Sequence, residues 1–552
     1  MRRALRILGI ASPLALAITA VVVLPGWLPL FPRSVQRGLT EGLLQGAFLF
    51  HAALVVAGVI GTPWFGRRTI RAWREKRRGT RSERIVLLCL SCLVSLVGLE
   101  LGAVVVRAWT HRFPVLPTTF PDNESNAYRI LVLGGSSALG EPYRPWVSVG
   151  QIVAWRLAEA IPERRFEPQI LAWLGDSLEA QHQKLAQISH RPDAVIIYSG
   201  HNEFAWRFEE NRDHTIDLGA SWAIARRIGN ITSFSPFRRL VRELISKNRL
   251  DAPPSLKGRH QLIDPPLCDP AEAAEVLADF SARLEAIVSH CERIGAQPIL
   301  IIPPANEADY EPSRSTVALG TSPAERRRLA DAFREARGLV ERDPARAESI
   351  FRAILDRHPE FAEAQYRLGK LLEASGRIDE ARGRFRMALD QDGLPIRCPE
   401  PFREAHHQVA KRHPGAILID GRRELIEAGS SGLLGDDMME DTHHPNLKGH
   451  LALAAAVLRE LKRREVFGEA SAAIGAPRVA ACVARFDLDA EKLAEACERT
   501  SVHYERVAGY RYDPSERLAK SRRFAEAARR LRAGASIHEV GLPAFDFEDV
   551  RK

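Results

Sequence analysis

The stretch Arg129-Ile-Leu-Val-Leu-Gly-Gly-Ser-Ser-Ala-Leu-Gly140 decides the fold of this 552-residue chain. Its apolar run Ile130–Leu133 is long enough for one buried strand, and it breaks at the two glycines that follow. Ser136 and Ser137 therefore lie where a strand ends and the next element begins. Open parallel sheets bind their ligands at that edge. The stretch predicts a hydroxyl group at the carboxyl edge of a parallel sheet.

Apolar runs and helical stretches alternate along the chain on both sides of this strand. The strand candidates are Ile130–Leu133, Gln169–Leu174, Ala194–Tyr198, Pro298–Ile302 and Ala416–Ile419. The helix candidates between them include Val149–Ala160, Leu178–Ile188, Ala271–Ile294 and Pro401–Arg412. Strands separated by helices indicate a parallel sheet that is covered on both faces. We therefore expect a five-stranded, three-layer α/β/α domain.

Three long apolar segments near the amino terminus predict transmembrane helices. Segments 7–32 and 42–66 hold no charged residue, and segment 85–106 is interrupted only by Glu100. Each exceeds the roughly 20 residues that a helix needs to cross a bilayer. Lys/Arg-rich loops stay on the cytoplasmic side, so the basic loop 67–84 is expected there. The predicted location is the inner cell membrane, multi-pass, with everything after about Arg107 on the periplasmic, extracytoplasmic side.

The net charge of +9 does not indicate a nucleic-acid partner, because of where the charge lies. Loop 67–84 holds nine Lys/Arg against two Glu, and three further arginines precede residue 7. These two segments account for the whole positive excess, and the rest of the chain is close to neutral. The basic balance therefore describes membrane topology and not a groove for DNA or RNA.

The seven cysteines do not form the pair of CxxC motifs that a zinc knuckle requires. Cys89 and Cys92 lie within an apolar segment, and the other five are scattered downstream. No metal and no organic cofactor is expected from this distribution.

An acid and a base lie close together near the end of the predicted sheet, in the segment Asp441-Thr-His-His-Pro445. Asp441 and His444 are three residues apart, which in a helical or turn-like loop places both side chains on one side. A serine becomes a nucleophile when a base accepts its proton and a third group orients that base. The pattern predicts Asp441 as the orienting acid and His444 as the base.

Four segments together resemble the four blocks of the SGNH (GDSL-type) hydrolase family. They are Gly134-Gly-Ser-Ser-Ala-Leu-Gly140, Gly175, Gly200-His-Asn-Glu203 and Asp441-Thr-His-His-Pro445. The family places its nucleophile four residues before the last glycine of the first block, which selects Ser136 over Ser137. Gly135 stands where the family has an aspartate. Gly175-Asp-Ser177 spells the first block literally but lacks that glycine, so it is interpreted as the second block.

The resemblance also implies an oxyanion hole and a triad. The expected donors are the backbone N–H groups of Ser136 and Gly175 and the side-chain amide of Asn202. Such donors stabilise the negative oxygen of an acyl-transfer intermediate. Glu203 replaces the family's usual aspartate and is expected to be structural. The implied catalytic residues are Ser136, Asp441 and His444.

An internal repeat lies in the long segment between the fourth and fifth strands. Ala347 and Phe351 recur as Ala381 and Phe385, 34 residues later, and Leu368-Gly369 precedes the second pair. The pattern resembles the helix–turn–helix tetratricopeptide repeat. We expect the pair to pack on the main domain, and a protein partner bound by the repeats is an alternative.

The expected division of the chain is therefore as follows: membrane helices in 1–110, an SGNH-like domain in 126–305 and 396–465, the repeat insertion in 323–395 and a helical extension in 466–552. The resemblance implies a membrane-anchored, outward-facing serine hydrolase for ester bonds, and the location suggests acylated envelope glycans or lipids as substrates. One alternative is an O-acyltransferase with the same triad. Another is an inactive scaffold whose repeats bind a partner.

Two other readings of the same residues carry less weight. A metal site from Asp441, His443 and His444 is disfavoured because adjacent histidines rarely point the same way. A phosphate-binding turn at the first block is disfavoured because the Gly-x-Gly-x-x-Gly spacing is absent.

Overall fold

The computed structural model describes residues 97–103, 113–121, 127–205, 261–264, 266–268, 270–318 and 321–543. The chain divides into two compact units, Met1–Arg112 with Ile216–Pro253, and Phe113–Thr215 with Pro254–Lys552. Only the helical segment 97–103 of the first unit is described. The fold given below is that of the second unit.

The predicted fold class was wrong in one part, its transmembrane helices. Across the described ranges, no helix is both long and apolar enough to cross a membrane. Of the three predicted spans, segments 7–32 and 42–66 lie outside the described residues, and only 97–103 of segment 85–106 is described.

Five parallel strands form one sheet in the order β2-β1-β3-β4-β5. They are β1 (Ala127–Gly134), β2 (Arg165–Ile170), β3 (Ala194–Tyr198), β4 (Gln297–Ile302) and β5 (Ile417–Asp420). The central strand β3 is buried along its whole length, as its continuous apolar sequence predicts. The five-stranded parallel sheet expected from the sequence is therefore present.

The second strand lies earlier in the chain than the sequence predicted. It spans Arg165–Ile170 where the apolar pattern indicated Gln169–Leu174. β2 is at the edge of the sheet, so Pro168 is tolerated within it and most of its side chains remain half-buried. Apolar content alone therefore placed the strand four residues too late.

Helices connect the strands and extend the domain. They are α1 (Ser136–Leu139), α2 (Val149–Ala160), α3 (Leu178–Leu185), α4 (Pro270–Arg293), α5 (Pro323–Leu339), α6 (Pro344–Arg357), α7 (Ala362–Ala374), α8 (Ile378–Asp390), α9 (Glu400–Arg412), α10 (Gly421–Ala428), α11 (Leu447–Arg463), a 3₁₀ helix (Gly468–Ala473), α12 (Val479–Arg485), α13 (Ala490–Ala508), α14 (Ser515–Arg532) and α15 (Ile537–Val540). Helix α11 packs on α2 and α10, whereas α4 packs on α3 and α9. These two groups form the outer layers of the sheet.

Helices α5 to α8 bury a hydrophobic cluster of their own. The repeated residues Ala347, Phe351, Ala381 and Phe385 all lie in this cluster and are almost completely buried. A Cβ on Gly369 would lie 2.7 Å from the ring of Phe385, so the repeat needs glycine there for the helices to approach. The 34-residue period thus reflects how these helices pack.

The carboxy-terminal helices join both parts of this unit. Apolar residues of α13 and α14 belong to the main hydrophobic core. Arg511, between these helices, forms a buried ion pair with Glu363 of α7 at 2.9 Å. Burial opposes ionisation of Glu363, but Arg511 and neighbouring arginines outweigh it and lower its pKa to about 2. The extension therefore ties the repeat helices to the α/β domain.

Candidate active site

Ser136 is held at the carboxyl end of β1 by an abrupt turn. Gly134 adopts φ 154°, and a Cβ on it would lie 2.3 Å from the carbonyl oxygen of Tyr198 on β3. The chain then turns through Gly135 and begins α1 at Ser136. The Ser136 side chain therefore projects from the edge of the sheet, where the sequence predicted it.

A continuous hydrogen-bonded chain joins the three predicted catalytic side chains. Nε2 of His444 lies 2.7 Å from Oγ of Ser136, and Nδ1 of His444 lies 2.7 Å from Oδ2 of Asp441. All three side chains are buried. With the acid on Nδ1, the ring presents Nε2 to the hydroxyl, which is the arrangement that activates a serine.

The loop that carries the acid and the base is fixed by its own backbone. The N–H groups of His443 and His444 both donate to Oδ1 of Asp441, each at 3.1 Å. An antiparallel bridge between Met439 and Pro445 closes the loop. Asn446 then caps α11 by accepting from the N–H of Gly449. The loop follows α10 and not a strand directly, so its place at the site depends on these contacts.

The two titratable members of this chain have opposite pKa shifts. Burial raises the pKa of Asp441, but His444, His503 and the backbone donors outweigh it and hold that pKa well below its usual range. Burial lowers the pKa of His444, but the Asp441 carboxylate outweighs it and gives a net rise. Asp441 is therefore ionised at neutral pH, and the imidazolium that forms during catalysis is stabilised.

The neighbouring serine has a different partner. Oγ of Ser137 donates to the backbone oxygen of His443 at 2.9 Å, so it helps to fix the loop that carries Asp441 and His444. Only Ser136 has its hydroxyl against the ring of His444. The geometry separates the two serines as the position of Gly140 predicted.

Two of the predicted oxyanion donors, Gly175 and Asn202, are tied together through Asp176, the residue that follows Gly175. Gly175 adopts φ 76° with open space around its α-carbon, which leaves room for a substrate. Nδ2 of Asn202 donates one proton to the backbone oxygen of Asp176 at 3.0 Å, and this bond fixes the amide. The second proton on Nδ2 remains for the site. Glu203 accepts from the N–H of Leu178 with both carboxylate oxygens, so it orients the start of α3.

Asn202 also explains the glycine that departs from the family pattern. A Cβ on Gly135 would lie 2.3 Å from Nδ2 of Asn202. An aspartate at position 135 would therefore displace the amide that the resemblance assigns to the oxyanion hole. Glycine at position 135 therefore leaves the amide in place, and the missing carboxylate does not disrupt the nucleophile's hydrogen bond.

The carboxy-terminal extension also contributes to the site, which was not predicted from the sequence. Nε2 of His503, on α13, lies 2.9 Å from Oγ1 of Thr442 and 3.8 Å from Oδ1 of Asp441. Its ring centroid is 5.1 Å from that of His444. A single histidine on an amphipathic helix some 60 residues after the triad gave no local signal of this position.

Two further histidines surround the base. The ring of His443 lies 4.3 Å from that of His444 and 4.7 Å from that of His201, measured between centroids. Burial, followed by the positive charge of His444, lowers the pKa of His201 to about 3 and that of His443 well below its usual value. These rings are therefore neutral around the base at physiological pH.

Asp441, His444 and His503 each bring one potential metal-ligating atom within 4.8 Å of the others. Both ring nitrogens of His444 are already hydrogen-bonded, to Asp441 and to Ser136. A metal ion on this ring would have to break one of those bonds. The contacts favour the hydrogen-bonded triad over a metal centre.

Comparison with known proteins gives one family match and several distant structural neighbours. A tetratricopeptide repeat family model matches residues 339–395, which confirms the repeat predicted from the sequence. None of the curated proteins matches the chain. 

The similar solved structures are esterases and related hydrolases. The acetylxylan esterase Axe2 from Geobacillus stearothermophilus has 12% identity over 60% of this chain and 94% of that chain, with a TM-score of 0.27. The lipase/acylhydrolase from Enterococcus faecalis has 14% identity over 61% and 96%, with a TM-score of 0.26. LAE5, an α/β hydrolase from the metagenome of Lake Arreo, Spain, has 14% identity over 63% and 96%, with a TM-score of 0.26. At these scores the likeness is too distant to assign an activity.

Proposed function

We propose that this protein is a serine hydrolase that cleaves carboxylic ester bonds, such as acyl or acetyl esters. The observation that carries the proposal is the buried chain from Ser136 through His444 to Asp441, with 2.7 Å at each step. A hydroxyl, an imidazole and an ionised carboxylate in this order constitute a nucleophile, its base and the group that orients the base.

The reaction proceeds in two halves. Oγ of Ser136 attacks the ester carbonyl while Nε2 of His444 accepts the serine proton. Asp441 holds the other ring nitrogen and stabilises the resulting imidazolium. His444 then donates the proton to the departing alcohol, which leaves an acyl group on Ser136. A water molecule, deprotonated by the same ring, releases the acid and restores the serine.

The negative oxygen of each tetrahedral intermediate requires donors that are already in place. The N–H groups of Ser136 and Gly175 and the amide of Asn202 are assigned this role. Loss of one such donor typically lowers kcat by about 10²–10³. Asn202 suits the role because its bond to the Asp176 carbonyl fixes the amide before substrate arrives.

The test is hydrolysis of 4-nitrophenyl acetate by the purified chain, compared with Ser136→Ala and Ser137→Ala variants. Loss of the nucleophile from a working triad lowers kcat by about 10⁶. Ser136→Ala should therefore reduce the rate to background, whereas Ser137→Ala, which removes only the bond to the His443 carbonyl, should retain most activity. Equal rates for the wild type and Ser136→Ala would eliminate the proposal.

A further inference from the structure

Helix α13 of the carboxy-terminal extension forms one wall of the candidate active site. His503 reaches the loop of the triad from this helix through Thr442 and lies edge-on to the ring of His444. Arg506 is three residues further along α13, so it lies on the same face of the helix as His503. The face of α13 that carries Arg506 is therefore the face that contacts the triad loop.

Arg506 differs from the other arginines near this end of the extension. Arg499 pairs with Glu495, Arg517 pairs with Glu311, and Arg532 pairs with Glu498. The Arg506 side chain is exposed, and its guanidinium forms no ion pair or hydrogen bond with any residue in the part of the chain that the structure describes. It is a cation without a carboxylate, on the helix face that contacts the triad loop.

The positive charge of Arg506 opposes protonation of His444, and a neutral substrate does not offset it. Burial and, to a smaller extent, the positive charge of Arg506 lower the pKa of His444, whereas Asp441 and Glu141 raise it. During ester cleavage His444 must itself become positively charged, so a nearby guanidinium opposes the step. Negative charge supplied by the substrate would remove this opposition and bind the guanidinium at the same time.

We infer that Arg506 forms a subsite for a negatively charged group of the substrate, so the preferred ester carries a carboxylate, phosphate or similar anion close to the scissile bond. Arg506 determines specificity and does not take part in bond making. The inference rests on the proposed esterase activity, and it adds the charge class of the substrate. A guanidinium presents planar paired donors that match the oxygens of such anions.

The experiment uses two matched pairs of esters. 4-Nitrophenyl hydrogen succinate and 4-nitrophenyl butyrate share a leaving group and chain length but differ in a carboxylate on the acyl side. 4-Acetoxybenzoate and its methyl ester differ in a carboxylate on the alcohol side. For each pair the ratio of kcat/KM, anionic over neutral, is measured after subtraction of the rate of the Ser136→Ala variant.

The wild type should prefer the anionic ester in at least one pair. Arg506→Gln should lower that ratio by about tenfold, corresponding to one lost charge-assisted contact, while the rate on the neutral ester stays the same or rises. Arg506→Lys should retain part of the preference. Lys492→Gln is the matched control, because it removes a positive charge from the same helix about 21 Å from Arg506. It should leave the ratio unchanged.

The outcomes separate the two proposals. If neutral esters are cleaved in a Ser136-dependent manner but Arg506→Gln leaves both ratios unchanged, the anionic subsite is refuted and the esterase activity stands. If no ester is cleaved in a Ser136-dependent manner, the proposed function fails and the subsite fails with it. The neutral-ester rate of Arg506→Gln also reports that the variant is folded.

Discussion

Replacing Gly135 by alanine tests the oxyanion hole without touching a proposed catalytic side chain. The backbone at Gly135 has φ −90° and ψ −152°, a conformation open to any residue, so alanine brings no backbone strain. Its methyl carbon would nevertheless lie 2.3 Å from Nδ2 of Asn202. Ordinary contact begins near 3.4 Å, so the amide would have to withdraw by about 1 Å.

A displacement of that size removes a preorganised donor. We expect kcat on 4-nitrophenyl acetate to fall by about 10²–10³, with KM little changed, because the donor acts mainly on the transition state. The assay compares Gly135→Ala, Asn202→Ala and the double variant. Because both substitutions remove the same donor, the double variant should be no slower than Asn202→Ala alone.

Gly383→Ala on α8 is the control, since its added Cβ has no neighbour within 4 Å, and it should retain wild-type kcat. Wild-type kcat in Gly135→Ala would refute the assignment of Asn202. Losses that multiply in the double variant would show that Gly135 acts through something other than the amide.

Two further predictions concern charge. The pKa of His444 is raised, so kcat/KM should increase with pH through a midpoint above the usual imidazole value. In Asp441→Asn the rate at pH 7 should fall by about 10⁴, and the midpoint of any remaining activity should move to lower pH. A pH profile with the same midpoint in Asp441→Asn would contradict the pairing of Asp441 with His444. The pKa of Glu363 is lowered to about 2, so its contribution to stability is complete above the unfolded-state pKa and is lost as pH falls from about 4.5 towards 2. Glu363→Ala should lower the free energy of unfolding at pH 7 by about 3–5 kcal/mol, because it removes the buried carboxylate that pairs with both Arg511 and Arg367. Chemical denaturation of the wild type and of Glu363→Ala, at pH 7 and at a pH near 2, measures both effects. An unchanged free energy of unfolding for Glu363→Ala at pH 7 would contradict the stabilising role of the pair.

The central part of the fold was predictable because its signal is local. A buried strand of a parallel sheet is a continuous apolar run, and β1, β3, β4 and β5 all have one. Gly134 and Gly135, at the end of β1, predicted the turn that presents Ser136. The edge strand β2 was misplaced because most of its side chains are only half-buried and its sequence includes a proline.

The site was predictable where its residues lie together in sequence or follow a strand. Asp441 and His444 share one loop, and Asn202 follows β3. By contrast, His503 reaches the site only through the packing of α13 on the main core, which leaves no pattern in its own segment. The steric relation between Gly135 and Asn202, 67 positions apart, likewise requires coordinates.

The transmembrane prediction came from hydropathy, which measures composition and not contacts. Of the third predicted span only residues 97–103 are described, and no helix among the described residues is both long and apolar enough to cross a membrane.

The identity of the nucleophile can be measured by covalent labelling. The purified chain is treated with an aryl fluorophosphonate, which phosphonylates an activated serine with loss of fluoride, and the adduct is located by peptide mass spectrometry. We expect one adduct, on Ser136. It should persist in Ser137→Ala, be lost in Ser136→Ala and form much more slowly in His444→Ala. An adduct on Ser137, or labelling of Ser136 that is indifferent to His444, would contradict it.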